Sequence, residues 1–169
     1  VHEYTLSTLL FLCLAKKLRE RYEEKGIGEE IFIASLKDLT YKLFECRQVY
    51  KIDGTYVAWW FPGYFKLTRF ALGRLQFEVI TADITYEKKG FKITKGETKL
   101  INVHIPRTGT PIDKESCDKA YAAAREFFRD EAGENAPFVC HSWLLYPENL
   151  KILPSYTNIY RFMSEYDIV

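Results

Sequence analysis

Histidine is scarce in this chain, with only three in 169 residues, and none stands at the H-x-x-x-H or similar spacing that a metal site needs. There is no G-x-S-x-G turn, no Walker loop and no glycine fingerprint followed by the acidic residue of a dinucleotide fold. Nucleophilic hydrolase chemistry is therefore disfavoured. Charge of one sign is also lacking: the net charge is +1, and basic residues alternate with acidic ones, so nothing marks a nucleic-acid surface. The four cysteines, Cys13, Cys46, Cys117 and Cys140, form no C-x-x-C pair. They read as buried free thiols of a reducing compartment. The apolar run LLFLCLA at 9–15 is too short to cross a bilayer. Glu3 before it and basic residues after it do not fit a signal peptide, so the chain reads as cytoplasmic, with no membrane partner. It opens without methionine and already inside a helical pattern, which reads as a piece of a longer protein in contact with the rest of it.

What is plentiful is aromatic surface: 12 Tyr, 12 Phe and 3 Trp. These rings predict a core of large side chains; the sharper alternative is a groove for a planar or acyl ligand. An apolar fraction of 47% and a charged fraction of 28% fit a globular chain, and the length suits one domain with or without a helical extension. Residues 3–24 predict a helix with Leu6, Leu9, Leu10, Cys13 and Leu14 facing inward. A second helix over 29–48 carries Phe32, Leu36, Leu39, Leu43 and Cys46 at alternating steps of four and three. Their short connection predicts antiparallel packing. Residues 55–70 read as a ring-rich loop or short helix broken at Pro62-Gly63. A long strand is predicted over 71–84, with turn signals at Glu87–Gly90 and Lys95-Gly96.

The stretch 100–128, LINVHIPRTGTPIDKESCDKAYAAAREFF, organises the remainder. Its period is two from Leu100 to Ile105 and becomes helical from Cys117, with Ala120, Tyr121, Ala124, Phe127 and Phe128 on one stripe. Thr110 or Asp113 can cap the helix, which spans about 113–130. Free N–H groups at such a helix start can hold phosphate, with Arg107 as the supporting cation. An ordinary strand-to-helix connection is the plainer reading. FVCHSWLLY, between Pro137 and Pro147, predicts another strand, parallel to 100–105 and joined to it by a right-handed crossover. The tail predicts helix interrupted at Pro154 and restarted at a Ser155 cap.

Polar residues occupy strand positions where apolar ones are routine: Arg74, Gln76 and Glu78 on one strand, Asn102 and His104 on the next, and His141 with Ser142 after the helix. If these faces coincide, they form a row able to do acid–base work, with Glu78, His104 or His141 accepting a proton. The plainer readings are a Glu78–Arg74 ion pair on a solvated face and hydrogen-bonded structural histidines.

Three strings, LGRLQFE (72–78), INVHIPRTG (101–109) and CHSWLLYPENLKILPSYTNIYRF (140–162), resemble bacterial acyltransferase domain-containing proteins, in which a GNAT-like C-terminal domain follows a helical N-terminal one. The resemblance implies a GNAT-like α/β fold: a mixed, partly splayed sheet flanked by helices behind an N-terminal helical hairpin. It places the hairpin at 1–54 and the GNAT-like domain at 55–169, with two further strands expected beyond Val169. It implies transfer of an acyl group from acyl-CoA (acetyl-CoA or similar) to a small-molecule or peptide amine, by direct attack and without metal. Glu78 or His104 would be the base and Tyr160 the acid. Arg107, Thr108, Gly109 and Thr110 would cradle phosphate, and His141, Ser142 and Asn158 would meet the rest of the cofactor. PRTGTPID has one glycine where GNAT loops usually have two, which supports a rival reading as a non-catalytic ligand-binding or protein-interaction module. A third reading is a hydrolase or other transferase using Glu78 and the histidines.

Overall fold

A computed structural model describes residues 1–88 and 91–169. The chain divides into two compact units, Val1–Leu72 with Pro106–Gly109, and Gly73–Ile105 with Thr110–Val169. The last two residues of the expected Glu87–Gly90 turn lie outside the described residues.

The first unit is mainly helical, with α1 (Glu3–Glu24), α2 (Glu29–Leu36), α3 (Asp38–Tyr50), the short α4 (Pro62–Phe65) and strand β1 (Arg69–Leu72). The helix expected over 29–48 is two, separated by Lys37 alone. In α1 the buried stripe is not the leucine stripe. Leu6, Leu9 and Leu10 are about half exposed and Cys13 is exposed, whereas Thr8, Phe11, Leu18 and Tyr22 are buried. The helix carries two apolar stripes, and the partners choose the aromatic one. Phe11 lies 4.8 Å from the Phe61 ring and 5.4 Å from Phe65; Tyr22 meets Phe32 at 5.6 Å and Phe70 at 5.8 Å. Rings bury more area per residue than leucine, so this phase removes more apolar surface from water.

Gly54 is required where it stands, because a Cβ there would meet the Tyr4 backbone carbon at 2.3 Å. That close approach lets the Thr55 amide donate to the Tyr4 carbonyl at 3.0 Å and ties the start of α1 to the turn after α3. β1 is tied to α2 by the Ala71 amide, which donates to the buried Ser35 Oγ at 2.9 Å. Burial and the neighbouring Asp38 push the Tyr64 hydroxyl well above the ordinary phenol range; that hydroxyl lies 3.4 Å from Asp38 Oδ2.

The second unit contains β2 (Leu75–Thr81), the separate hairpin β3 (Tyr86–Lys88) and β4 (Phe91–Ile93), β5 (Lys99–His104), α5 (Lys114–Phe127), α6 (Arg129–Ala132), β6 (Phe138–Val139), α7 (Asn149–Ile152) and α8 (Asn158–Ser164). The strand expected over 71–84 is broken at Gly73, whose φ of +67° is left-handed and where an added Cβ would lie 3.5 Å from the Ala120 Cβ. Arg74 therefore sits in the turn, and its guanidinium donates to the carbonyls of Pro111 and Thr110. β2 and β5 pair antiparallel, while β5 and β6 pair parallel, so the sheet is mixed as expected. One face, with Phe77 and Val103, lies on the α5 side: the Phe77 ring is 6.2 Å from Tyr121 and both residues are fully buried in the case of Phe77 and Val103.

FVCHSWLLY is strand only over Phe138–Val139. Ser142 Oγ accepts from the Leu144 amide at 3.2 Å and starts a 3₁₀ turn over Trp143–Leu145, which ends the extended run. α5 is capped by Asp113, whose carboxylate accepts from the Ser116 amide at 2.9 Å. α8 is capped by Thr157, not by Ser155. Among the described residues no helix is long and apolar enough to cross a membrane.

Candidate active site

Alternation along β2 and β5 puts Gln76, Glu78, Asn102 and His104 on the sheet face opposite Phe77 and Val103. The register fixes who meets whom: Gln76 faces His104, and Glu78 faces Asn102. The diagonal pair makes the shortest contact, with His104 Nε2 2.7 Å from Glu78 Oε1. Asn102 Nδ2 lies 3.3 Å from the same Glu78 oxygen and 3.3 Å from His104 Nε2. The Glu78 and His104 side chains are 17% and 16% exposed, so water screens their contact only in part.

An ionised carboxylate only accepts, so in the Nε2–H tautomer His104 Nε2 is the donor and Glu78 Oε1 the acceptor of this contact. The Asn102 amide then donates to Glu78 as well. The opposite orientation would set its carbonyl against a carboxylate oxygen. The Asn102 Oδ1 that remains is buried and has no hydrogen-bond partner among the described residues. A buried acceptor left in this state costs about 1–3 kcal/mol, which is unusual unless something else supplies a donor.

Beside this cluster the sheet opens. β5 and β6 pair only at Ile101 with Phe138 and Asn102 with Val139. β5 runs on to His104 while β6 stops, so the two co-directional strands part at the register of Asn102. A cleft of about 640 Å³ lies beside β6, with Leu100, Phe138, Val139 and Leu145 among its apolar walls; Glu78, Asn102 and His104 do not line it. Leu100, Asn102 and His104 follow one another on the same face of β5, so the polar cluster begins where the apolar wall ends.

His141 and Ser142 line the cleft, and His141 is exposed. Tyr160 and Asn158 lie on α8: Asn158 is exposed, and the half-buried Tyr160 donates its amide to Thr157 Oγ1 at 3.3 Å. Arg107 Nη2 donates to Gln48 Oε1 at 2.9 Å, and the Thr108 amide donates to the Pro106 carbonyl at 3.0 Å. Gly109 has a φ of +80°, and the Thr110 carbonyl accepts from Arg74. Arg107–Gly109 group with the first unit and Thr110 with the second. The first turn of α5 starts at Lys114, beyond all four. Among the described residues no three His, Cys, Asp or Glu side chains gather as a metal site.

Two hydroxyls and a thiol at the cleft were not singled out by sequence reasoning. Tyr121 Oη and Tyr166 Oη lie 2.8 Å apart, and burial raises both above the ordinary phenol range. Burial likewise pushes the Cys140 thiol up to about 12. Tyr121 fell on the helical core stripe, and nothing in the tail marked Tyr166.

A helical N-terminal unit and a mixed, partly open sheet flanked by helices define a GNAT-like α/β protein. Comparison with family models places the chain in that family: residues 69–169 match the GNAT-like C-terminal domain, and residues 1–67 match the N-acyltransferase N-terminal domain. The chain belongs to the GNAT-like C-terminal domain family, preceded by the N-acyltransferase N-terminal domain. Among solved structures it is similar to an acyltransferase in complex with decanoyl-CoA and teicoplanin, at 24% identity and a TM-score of 0.81, over 98% of this chain and 48% of that one. A mutant acyltransferase in complex with octanoyl-CoA matches at 23% identity, with the same TM-score and coverage. An acyltransferase in complex with CoA and 10C-teicoplanin matches at 24% identity, again at 0.81 and with 98% and 48% covered. At this identity the likeness shows the fold, and the chain spans about half the length of these proteins. No curated protein matches the chain.

Proposed function

We propose that the protein transfers an acyl group from acyl-CoA to an amine acceptor. The observation that carries this reading is the parting of β5 and β6 at Asn102 and Val139, next to the Glu78–His104 contact of 2.7 Å. The slot accommodates an extended thioester arm, and the apolar cleft beside it accommodates an acyl chain. The CoA thioester supplies an activated acyl donor.

His104 is the base. It takes a proton from the attacking amine and returns it to the departing sulfur, so no covalent enzyme species forms and the proton count closes. Glu78 orients the imidazole and offsets the positive charge that His104 gains. Asn102 holds Glu78 in place. In this reading His141, Ser142 and Asn158 flank the cofactor arm, and Tyr160 is an additional donor for the sulfur. The acyltransferases of like fold that hold decanoyl-CoA and octanoyl-CoA support a medium-chain donor, and the teicoplanin complexes support a bulky small-molecule acceptor.

The rival reading, a module that binds ligand without turnover, is favoured by the engagement of Arg107 with Gln48. Thermal unfolding with CoA, acetyl-CoA and decanoyl-CoA tests the first step. At one hundred times Kd a ligand stabilises by about 2.7 kcal/mol, which for a chain of this size is a rise of about 5–10 °C. No shift with any of the three removes the acyltransferase reading. A shift without acyl transfer to any amine in a broad panel establishes the rival.

A further inference from the structure

The cleft that borders the parted strands is apolar along most of its wall, yet it contains a pair of hydroxyls. Tyr121 reaches it from α5 and Tyr166 from the segment after α8, and their oxygens lie 2.8 Å apart. Each phenol can donate once and accept twice. One proton lies between the two oxygens, and the other has no protein acceptor among the described residues. Burial disfavours the phenolate at both positions, so the pair does not shed that proton at physiological pH. Among the described residues the pair thus offers one O–H donor that no protein oxygen accepts.

We propose that the acyl group taken by this cleft carries a neutral oxygen along its chain, a hydroxyl or an oxo group, which the Tyr121–Tyr166 pair recognises. This rests on the acyl-CoA reading above and names the class of donor within it. A plain alkyl chain would displace water from the spare donor and put nothing in its place, at the cost of a buried unsatisfied hydrogen bond. A carboxylate on the chain is disfavoured because Glu165 and Asp167 also line the cleft, and the adjacent cations already serve them: Arg161 pairs with Glu165 at 2.5 Å and Lys88 with Asp167 at 2.6 Å. A neutral oxygen accepts from the phenol without that repulsion.

The test is calorimetric titration of the purified protein with decanoyl-CoA, 3-hydroxydecanoyl-CoA and 10-hydroxydecanoyl-CoA. At least one hydroxylated form is expected to bind about tenfold tighter than decanoyl-CoA. In the double variant Tyr121→Phe/Tyr166→Phe that advantage should fall to within about twofold, with decanoyl-CoA affinity retained. Removing both hydroxyls together leaves no orphan, so the variant should fold. If it does not, Tyr166→Phe is measured instead, and its advantage should fall at least threefold. Equal affinity for all three thioesters in the unmodified protein overturns the proposal, as does an advantage that survives the double substitution. Binding of decanoyl-CoA separates this failure from that of the underlying reading; if no thioester binds, both fall together.

Discussion

His104 and Glu78 are diagonal neighbours across the β2–β5 ladder, with Nε2 and Oε1 2.7 Å apart, and neither is directly opposite the other. The residues directly opposite are Gln76 and Asn102, both buried, so the pair is framed by amides on the same face. Of the two amides, Asn102 touches both members of the pair, with Nδ2 3.3 Å from Glu78 Oε1 and 3.3 Å from His104 Nε2.

Glu78→Gln is expected to lower kcat by about 10²-fold, within the range for a lost acid–base contribution, and to leave the Kd for acyl-CoA within about twofold. His104→Gln should do the same. Because the two act as one unit, the double variant should be little worse than either single one. Steady-state kinetics alongside calorimetry checks this; multiplicative losses would show that the two act separately.

Phe77→Ala should destabilise the protein by about 3–5 kcal/mol, since Phe77 is fully buried between the Tyr121 and Phe138 rings. Leu9→Ala, on the half-exposed stripe of α1, should stay within about 0.5 kcal/mol. Urea unfolding of the two variants measures the contrast directly, and a larger loss at Leu9 would mean that its face is covered.

Iodoacetamide at pH 7.5 should modify Cys13 first, because it is exposed, and leave Cys140 unmodified in the folded protein. With its thiol pushed up to about 12, Cys140 holds its proton and lacks the thiolate that the reagent needs. Intact-mass and peptide mass spectrometry would show the order of labelling.

The cap of α5 has a pH signature. Hydrogen bonds from Ser116 hold the Asp113 carboxyl below its ordinary value, so the folded state favours the ionised form. Its contribution is fully present above the unfolded-state value near 3.8 and is lost as the pH falls through the lower folded value. The Tm difference between the unmodified protein and Asp113→Ala should therefore be constant at neutral pH and shrink below about pH 4. A constant difference down to pH 2 would contradict the assignment.

By itself the sequence determined the local elements and the chemistry available to them. The two-residue period of Leu100–His104, the helical stripe from Cys117 to Phe128 and the polar positions on one strand face are properties of spacing; the structure keeps the first two, and the third at Gln76, Glu78, Asn102 and His104, while Arg74, His141 and Ser142 stand outside the strands. The parallel pairing of the strands flanking α5 was legible for the same reason: a strand, a long helix and a strand allow few other arrangements. Tertiary structure decided the rest. Which of two apolar stripes α1 buries depended on where Phe61, Phe65 and Phe70 arrive, and these lie about fifty residues away in sequence. The Glu78–His104 contact needed the β2–β5 register, and the Tyr121–Tyr166 pair needed the tail to return to α5; neither distance is written in any local pattern. Spacing sets the face on which a side chain stands, whereas its partner is set by the packing that brings two distant segments together.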